Sequence, residues 1–62
     1  MYTWEIERFI KERGGILTRD EYYSVVNRVN NPQIKDVKSD KDGNIEMRME
    51  HDEIFKFRCL KN

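Results

Sequence analysis

Sixty-two residues, 37% hydrophobic and 39% charged, make a single domain spanning residues 1–62, and a chain this short buries only about 60% of the surface it exposes when unfolded, so its core must be economical. Twelve Lys and Arg balance twelve Asp and Glu, which excludes a global field drawing the molecule to nucleic acid or to an anionic membrane. One cysteine, Cys59, excludes an intrachain disulfide framework, and without an apolar run of membrane length or a signal-like N-terminus the expectation is an unprocessed, soluble protein of the reducing cytoplasm.

In chain order, Thr3 is placed to cap a first helix over Trp4 to Arg13, with Glu5 and Glu7 near its start and Lys11 and Arg13 near its end, as the helix dipole favours. Tyr2, Ile6, Phe9 and Ile10 share one stripe and are expected on the buried face. Trp4 projects opposite that stripe beside Arg8 and Lys11, within reach of a cation–π contact from Arg8; the competing reading folds Trp4 over the end of the core. Gly14-Gly15 closes this helix, the first glycine supplying the left-handed cap, and Ile16-Leu17 is an apolar connection.

The clearest helix start follows. Thr18 as N-cap with Glu21 three residues on forms a capping box, and Leu17 with Tyr22 forms its hydrophobic staple, so a second helix begins at Arg19. Tyr22, Val25, Val26 and Val29 repeat at helical spacing as its core stripe, Tyr23 lies at the stripe's edge, and Asn30-Asn31-Pro32 closes it.

Beyond Gln33 the period changes to two. Val37 centres a short strand from Lys35 to Ser39, with Ile34 packing just before it. Ile45, Met47 and Met49 alternate with Glu46, Arg48 and Glu50, and Phe55, Phe57 and Cys59 with Lys56, Arg58 and Leu60, the mark of half-buried strands. Opposed residues must share a face, so the last hairpin needs a three-residue loop, Glu50 to Asp52 or His51 to Glu53, or a bulge; Glu46 then faces Lys56 or Arg58. The expected fold is α+β, a two-helix hairpin laid on one face of a three-stranded antiparallel meander (ααβββ).

Chemistry-bearing patterns are sparse. Asp40-Lys41-Asp42-Gly43-Asn44 resembles the opening of a calcium-binding EF-hand loop, but Ile45 stands where its Gly belongs and His51 where its final Glu belongs. An Asp-Gly hairpin turn explains it, with no metal expected. His51 is the only histidine, Cys59 reads as a small core residue, and neither a Ser-His-acid set nor a nucleotide loop occurs, so no catalytic residues, no cofactor and no enzymatic activity are expected.

Two binding readings remain. Trp4, Arg8, Lys11 and Tyr23 are the protein-contact candidates, since the core leaves them over and Trp and Arg are frequent hot-spot residues. The alternative is nucleic acid, held by Arg48, Lys56 and Arg58 on the open sheet face or read by the helical pair; Glu46 and Glu50 on that face, and Asp20-Glu21 at the start of the second helix, oppose phosphate. The run Ile10-Lys11-Glu12-Arg13-Gly14-Gly15-Ile16-Leu17-Thr18, with the strand-rich tail after Asn31-Pro32, resembles short uncharacterised proteins of prophages and mobile elements of Gram-positive bacteria. That resemblance implies a small accessory protein acting by binding rather than turnover, and it assigns no site residues and no oligomeric state. Separately, with recognisable chemistry and net charge both missing, the leading expectation is a small protein-interaction module that modulates another protein.

Overall fold

Residues 1–60 are described by the computed structural model. Their order is α1 (Thr3–Glu12), β1 (Ile16–Leu17), α2 (Arg19–Val26), β2 (Ile34–Ser39), β3 (Asn44–Met49) and β4 (Ile54–Cys59). The class is α+β as expected, but the sheet has four strands in the order β1-β4-β3-β2, and β1 runs parallel to β4.

α1 starts one residue before the expected position, with Tyr2 rather than Thr3 in the cap. The Glu5 carboxylate accepts from the Tyr2 backbone N–H at 2.8 Å, satisfying one of the donors a helix start leaves over. Tyr2 therefore precedes the helical periodicity, and it is 71% exposed rather than part of the buried stripe. Ile6 and Ile10 are buried and Phe9 half-buried, as their spacing requires. The helix ends in a pair of crossed bonds, Gly15 N–H to the Ile10 carbonyl and Gly14 N–H to the Lys11 carbonyl, both 3.0 Å. That closure puts both glycines at positive φ, 65° and 76°, where a side chain is strained.

The expected connection Ile16-Leu17 is a strand. Arg58 N–H donates to the Gly15 carbonyl at 2.8 Å and Leu60 N–H to the Leu17 carbonyl at 2.9 Å, so backbone bonds stitch this stretch to the far end of the chain. Leu17 is fully buried and Ile16 is 47% exposed. The two helices are thus separated by a sheet strand and do not form a plain hairpin.

α2 carries the expected capping box. Thr18 N–H donates to the Glu21 carboxylate at 2.8 Å, and Glu21 N–H donates to the Thr18 hydroxyl at 3.3 Å. Its end differs from expectation: the helix stops at Val26, Asn27 turns extended, and Val29 is 91% exposed instead of extending the core stripe. At this stop the Asn27 side chain accepts from Val29 N–H at 3.0 Å, and Asn31, fully buried, donates from its side-chain amide to the Val25 carbonyl at 2.8 Å and to the Ser24 carbonyl at 3.4 Å. Asn31 Oδ1 in turn accepts from the Met1 amino group at 2.9 Å.

β2 begins at Ile34, earlier than Lys35, and its pairing with β3 slips by one residue between Ile34 and Asp36. The resulting bulge explains how Ile34, opposite Met49, and Val37, opposite Met47, both reach the core although they stand three apart, since an unbroken strand would set them on opposite faces. In the β3–β4 hairpin Ile45 faces Phe57, Glu46 faces Lys56 and Met47 faces Phe55. This is the first of the two expected registers, closed by a Glu50–Asp52 loop. Met49 N–H donates to the Glu53 carbonyl at 2.8 Å, and Asp52 takes the left-handed position at φ 66°, a common three-residue closure.

Both helices supply the layer that covers the inner sheet face. The core consists of Ile6, Ile10, Leu17, Val25, Ile34, Ile45, Met47, Met49 and Phe57, with Phe9, Tyr22, Val26, Val37, Phe55 and Cys59 packed against it. Among the described residues no helix is long and apolar enough to cross a membrane.

Candidate functional site

Helical spacing alone turns Trp4 away from Ile6 and Ile10, and in the structure it is 58% exposed. Its indole is not isolated. The Tyr2 ring lies stacked beside it, centroids 6.4 Å apart and planes 11° from parallel. The Arg8 guanidinium sits 5.0 Å from the indole centroid, the i,i+4 cation–π contact expected from sequence. Arg8 also pairs with Glu12 at 3.4 Å, and Lys11 pairs with Glu7 at 3.6 Å. The outward side of α1 is therefore an aromatic stack followed by two ion pairs that cancel in charge. Of the contact candidates, Trp4, Arg8 and Lys11 share this side. Tyr23 is on α2, 54% exposed, and its ring neighbours are Tyr22 at 5.5 Å and the Arg19 guanidinium at 5.8 Å, so it is not joined to the Trp4 stack. Tyr2 belongs to the stack, whereas its spacing from Ile6, Phe9 and Ile10 predicts the buried stripe; at the helix cap its backbone is extended, which takes it off the helical periodicity.

The second candidate surface is the outer face of the sheet. Register places Lys38, Glu46 and Lys56 in one row across β2, β3 and β4, and Asp36, Arg48 and Ile54 in the next. Arg48 is committed: its guanidinium donates to the Asp36 carboxylate at 2.6 Å. That bond holds the Asp36 carboxyl below the usual carboxylate range and pushes the Arg48 guanidinium up. Lys56 and Arg58, together with Lys38, Ser39, Asn44 and Glu46, line an open basin of about 580 Å³. The structure thus separates Arg48 from Lys56 and Arg58, and it adds Lys38, which follows from the parity of β2 once Val37 is placed inside. Glu46 stands between the two lysines. Ile54 and Leu60, 50% and 52% exposed, are outside the core.

The 40–44 loop is closed by its own groups. Asp40 Oδ1 accepts from the N–H groups of Asp42 at 2.8 Å and Asn44 at 3.0 Å, and Oδ2 accepts from the Asn44 side-chain amide at 3.0 Å. His51 is exposed in the hairpin loop and Cys59 is a half-buried free thiol. Among the described residues no three His, Cys, Asp or Glu side chains gather in a way that could hold a metal ion.

What the fold and these surfaces define is a small α+β domain. No protein-family model, curated protein or solved structure matches the chain.

Proposed function

We propose that this chain is a small, non-enzymatic protein-interaction module that engages its partner through the outward side of α1. The observation that carries the reading is the Tyr2–Trp4–Arg8 stack, two large rings and a guanidinium held in place on the surface with more than half of each ring residue exposed. Rigid aromatic area of this kind buries well at little entropic cost, and Trp, Tyr and Arg dominate binding hot spots. Lys11 extends the contact by one helical turn, while Tyr23 belongs to a separate patch. The ion pairs of Arg8 and Lys11 cancel in charge, which favours a partner recognised by shape and apolar contact rather than by a strong field. In keeping with the resemblance to prophage and mobile-element proteins, the module acts in the cytoplasm as a modulator of another protein.

A capture experiment from Gram-positive cell lysate, run in parallel with wild type, Trp4→Ala and a Lys56→Ala/Arg58→Ala variant, tests this. A protein held by wild type and by the sheet-face variant, and released by Trp4→Ala, is the expected result. A partner that ignores Trp4→Ala overturns the assignment of the surface.

A second reading, single-stranded nucleic acid on the sheet face, draws on Lys38, Lys56 and Arg58 around the basin. It is weakened by Glu46 among them and by the Asp36–Arg48 ion pair. Oligonucleotide binding that falls steeply with salt and is lost in Lys56→Ala/Arg58→Ala would select it.

A further inference from the structure

β2 is an open edge of the sheet, and the direction of its backbone groups is fixed by its bonds to β3. At the hairpin end, Asp40 N–H donates to the Asn44 carbonyl at 3.1 Å. Along an antiparallel pair, residues that exchange bonds with the neighbour alternate with residues that turn both groups away. Counting back through the register Lys38–Glu46, Val37–Met47 and Asp36–Arg48, Lys38 and Asp36 bond to β3, whereas Val37 and Ser39 turn N–H and C=O to the open edge. The other end confirms where this regular stretch stops: beyond the bulge, Glu50 N–H donates to the Gln33 carbonyl at 2.8 Å, in the slipped register. The usable edge is short and centred on Val37.

We propose that this edge pairs with the same edge of a second copy, antiparallel about a twofold axis through Val37. Charge selects the occupant and the register together. With Val37 opposite Val37 of the second copy, Asp36 falls opposite Lys38 of the second copy, and the pair occurs twice, as an isologous contact requires. Moving the centre one residue either way puts Asp36 against Asp36 or Lys38 against Lys38, and like charges directly opposed are unfavourable. In the selected register the two Val37 residues exchange N–H···O=C bonds, and the Asp36–Lys38 pairs fall at the positions where side chains approach most closely. The product is a closed dimer with a continuous sheet and both helix layers on one side. Lys35 and the bulge blunt the rest of the edge, so the contact is small and belongs among weak, transient interfaces. It uses neither Trp4 nor Arg8 and stands apart from the proposed partner surface.

Sedimentation equilibrium on the full chain from micromolar to millimolar concentration is the first measurement, with association that ends at dimer as the expected result. A chain made by chemical synthesis with an N-methyl group on Val37 removes the outward donor without touching the bonds to β3; it remains monomeric and keeps the wild-type far-ultraviolet circular dichroism. The register is read by an isotope-filtered NOE between Asp36 Hα and Lys38 Hα in a mixture of labelled and unlabelled chains. A molecule that stays monomeric at millimolar concentration, a dimer that survives N-methylation of Val37, or a dimer without the Asp36–Lys38 NOE each overturns the proposal.

Discussion

Arg13, at the end of α1, donates from Nε to the carboxylate of Glu21 in the first turn of α2. The same guanidinium donates to the Phe9 carbonyl at 2.9 Å and lies 3.5 Å from the Phe9 ring centroid, so one side chain ties the turn between the helices to both of them. Glu21 receives this bond while it also accepts from Thr18 N–H. The Thr18 backbone bond first, and Arg13 second, hold the Glu21 carboxyl below its ordinary range.

An acid-sensitivity prediction follows from that depression. A carboxyl that binds a proton less readily in the folded state than in the unfolded state contributes stability that is present above the ordinary carboxylate range and is lost as pH falls through the folded value. Asp36, lowered chiefly by its bond from Arg48, adds in the same direction. Thermal melts from pH 7 downward should therefore fall in the acid limb, and Glu21→Gln, which keeps the acceptor but loses the charge, should flatten that limb. Asp36→Asn should flatten it further, because the two carboxyls are on different elements and act independently. An unchanged acid limb in both variants would detach these carboxyls from acid stability.

Thr18→Ala removes the hydroxyl that accepts from Glu21 N–H. Loss of such an N-cap costs about 0.5–2 kcal/mol, a large share of the stability of a domain this size. Urea titration measures it as a lowered midpoint at constant slope, and Thr18→Ser should restore most of the loss.

Asn31 has a larger expected effect. It is fully buried, its amide satisfies carbonyls at the end of α2, and its own N–H and C=O bond to Asn27 and Ile34. Asn31→Leu keeps the bulk and strands the Val25 carbonyl, at about 1–3 kcal/mol for the buried group left unpaired. Hydrogen exchange should show the loss locally first, as faster exchange in the last turn of α2, whereas Asn30→Ala at the exposed neighbouring position should leave it unchanged.

These residues also show what was legible in the sequence. The Thr18–Glu21 box is set by contacts within one element, which spacing alone resolves. Spacing leaves Trp4 between the surface and the end of the core, and Glu46 between Lys56 and Arg58; the structure exposes the indole and pairs Glu46 with Lys56. Asn31 is different: Val29 continues the helical stripe by its spacing, yet the helix stops at Val26, where the Asn27 side chain accepts from Val29 N–H and the Asn31 side chain, five residues beyond Val26, folds back onto the Val25 carbonyl. β1 is hidden for a related reason. Two residues show no periodicity, and this strand exists through backbone bonds to Arg58 and Leu60, at the opposite end of the chain. Lys11 and Arg8 were legible as positions on α1, but their ion pairs with Glu7 and Glu12, which remove their net charge, depend on rotamers that spacing does not specify.

Calcium should not bind the 40–44 loop at submillimolar concentration. The Asp40 carboxylate is directed into the loop's own N–H groups, and a cation would have to displace those bonds while finding few further oxygen ligands. Amide shifts of Asp40, Asp42 and Asn44 during a calcium titration are the readout, and no movement is expected.

Trp4 separates stability from binding, and its substitution is the sharpest single check on the proposed surface. A Trp buried in a core costs about 3–5 kcal/mol when cut to Ala. Here the ring is 58% exposed, stacked on Tyr2 and covered from one side by Arg8, so only a surface ring pair and one exposed cation–π contact are lost, together about 1 kcal/mol. Trp4→Ala should melt close to wild type. Because this is the only tryptophan, its emission reports the same site directly: red-shifted and open to iodide quenching in the free protein, and blue-shifted and protected once a partner covers α1. Arg8→Ala should increase quencher access by uncovering the indole while leaving the fold intact. A blue-shifted, protected emission in the free monomer, or a loss of several kcal/mol in Trp4→Ala, would place the indole in the core and remove the partner surface from α1.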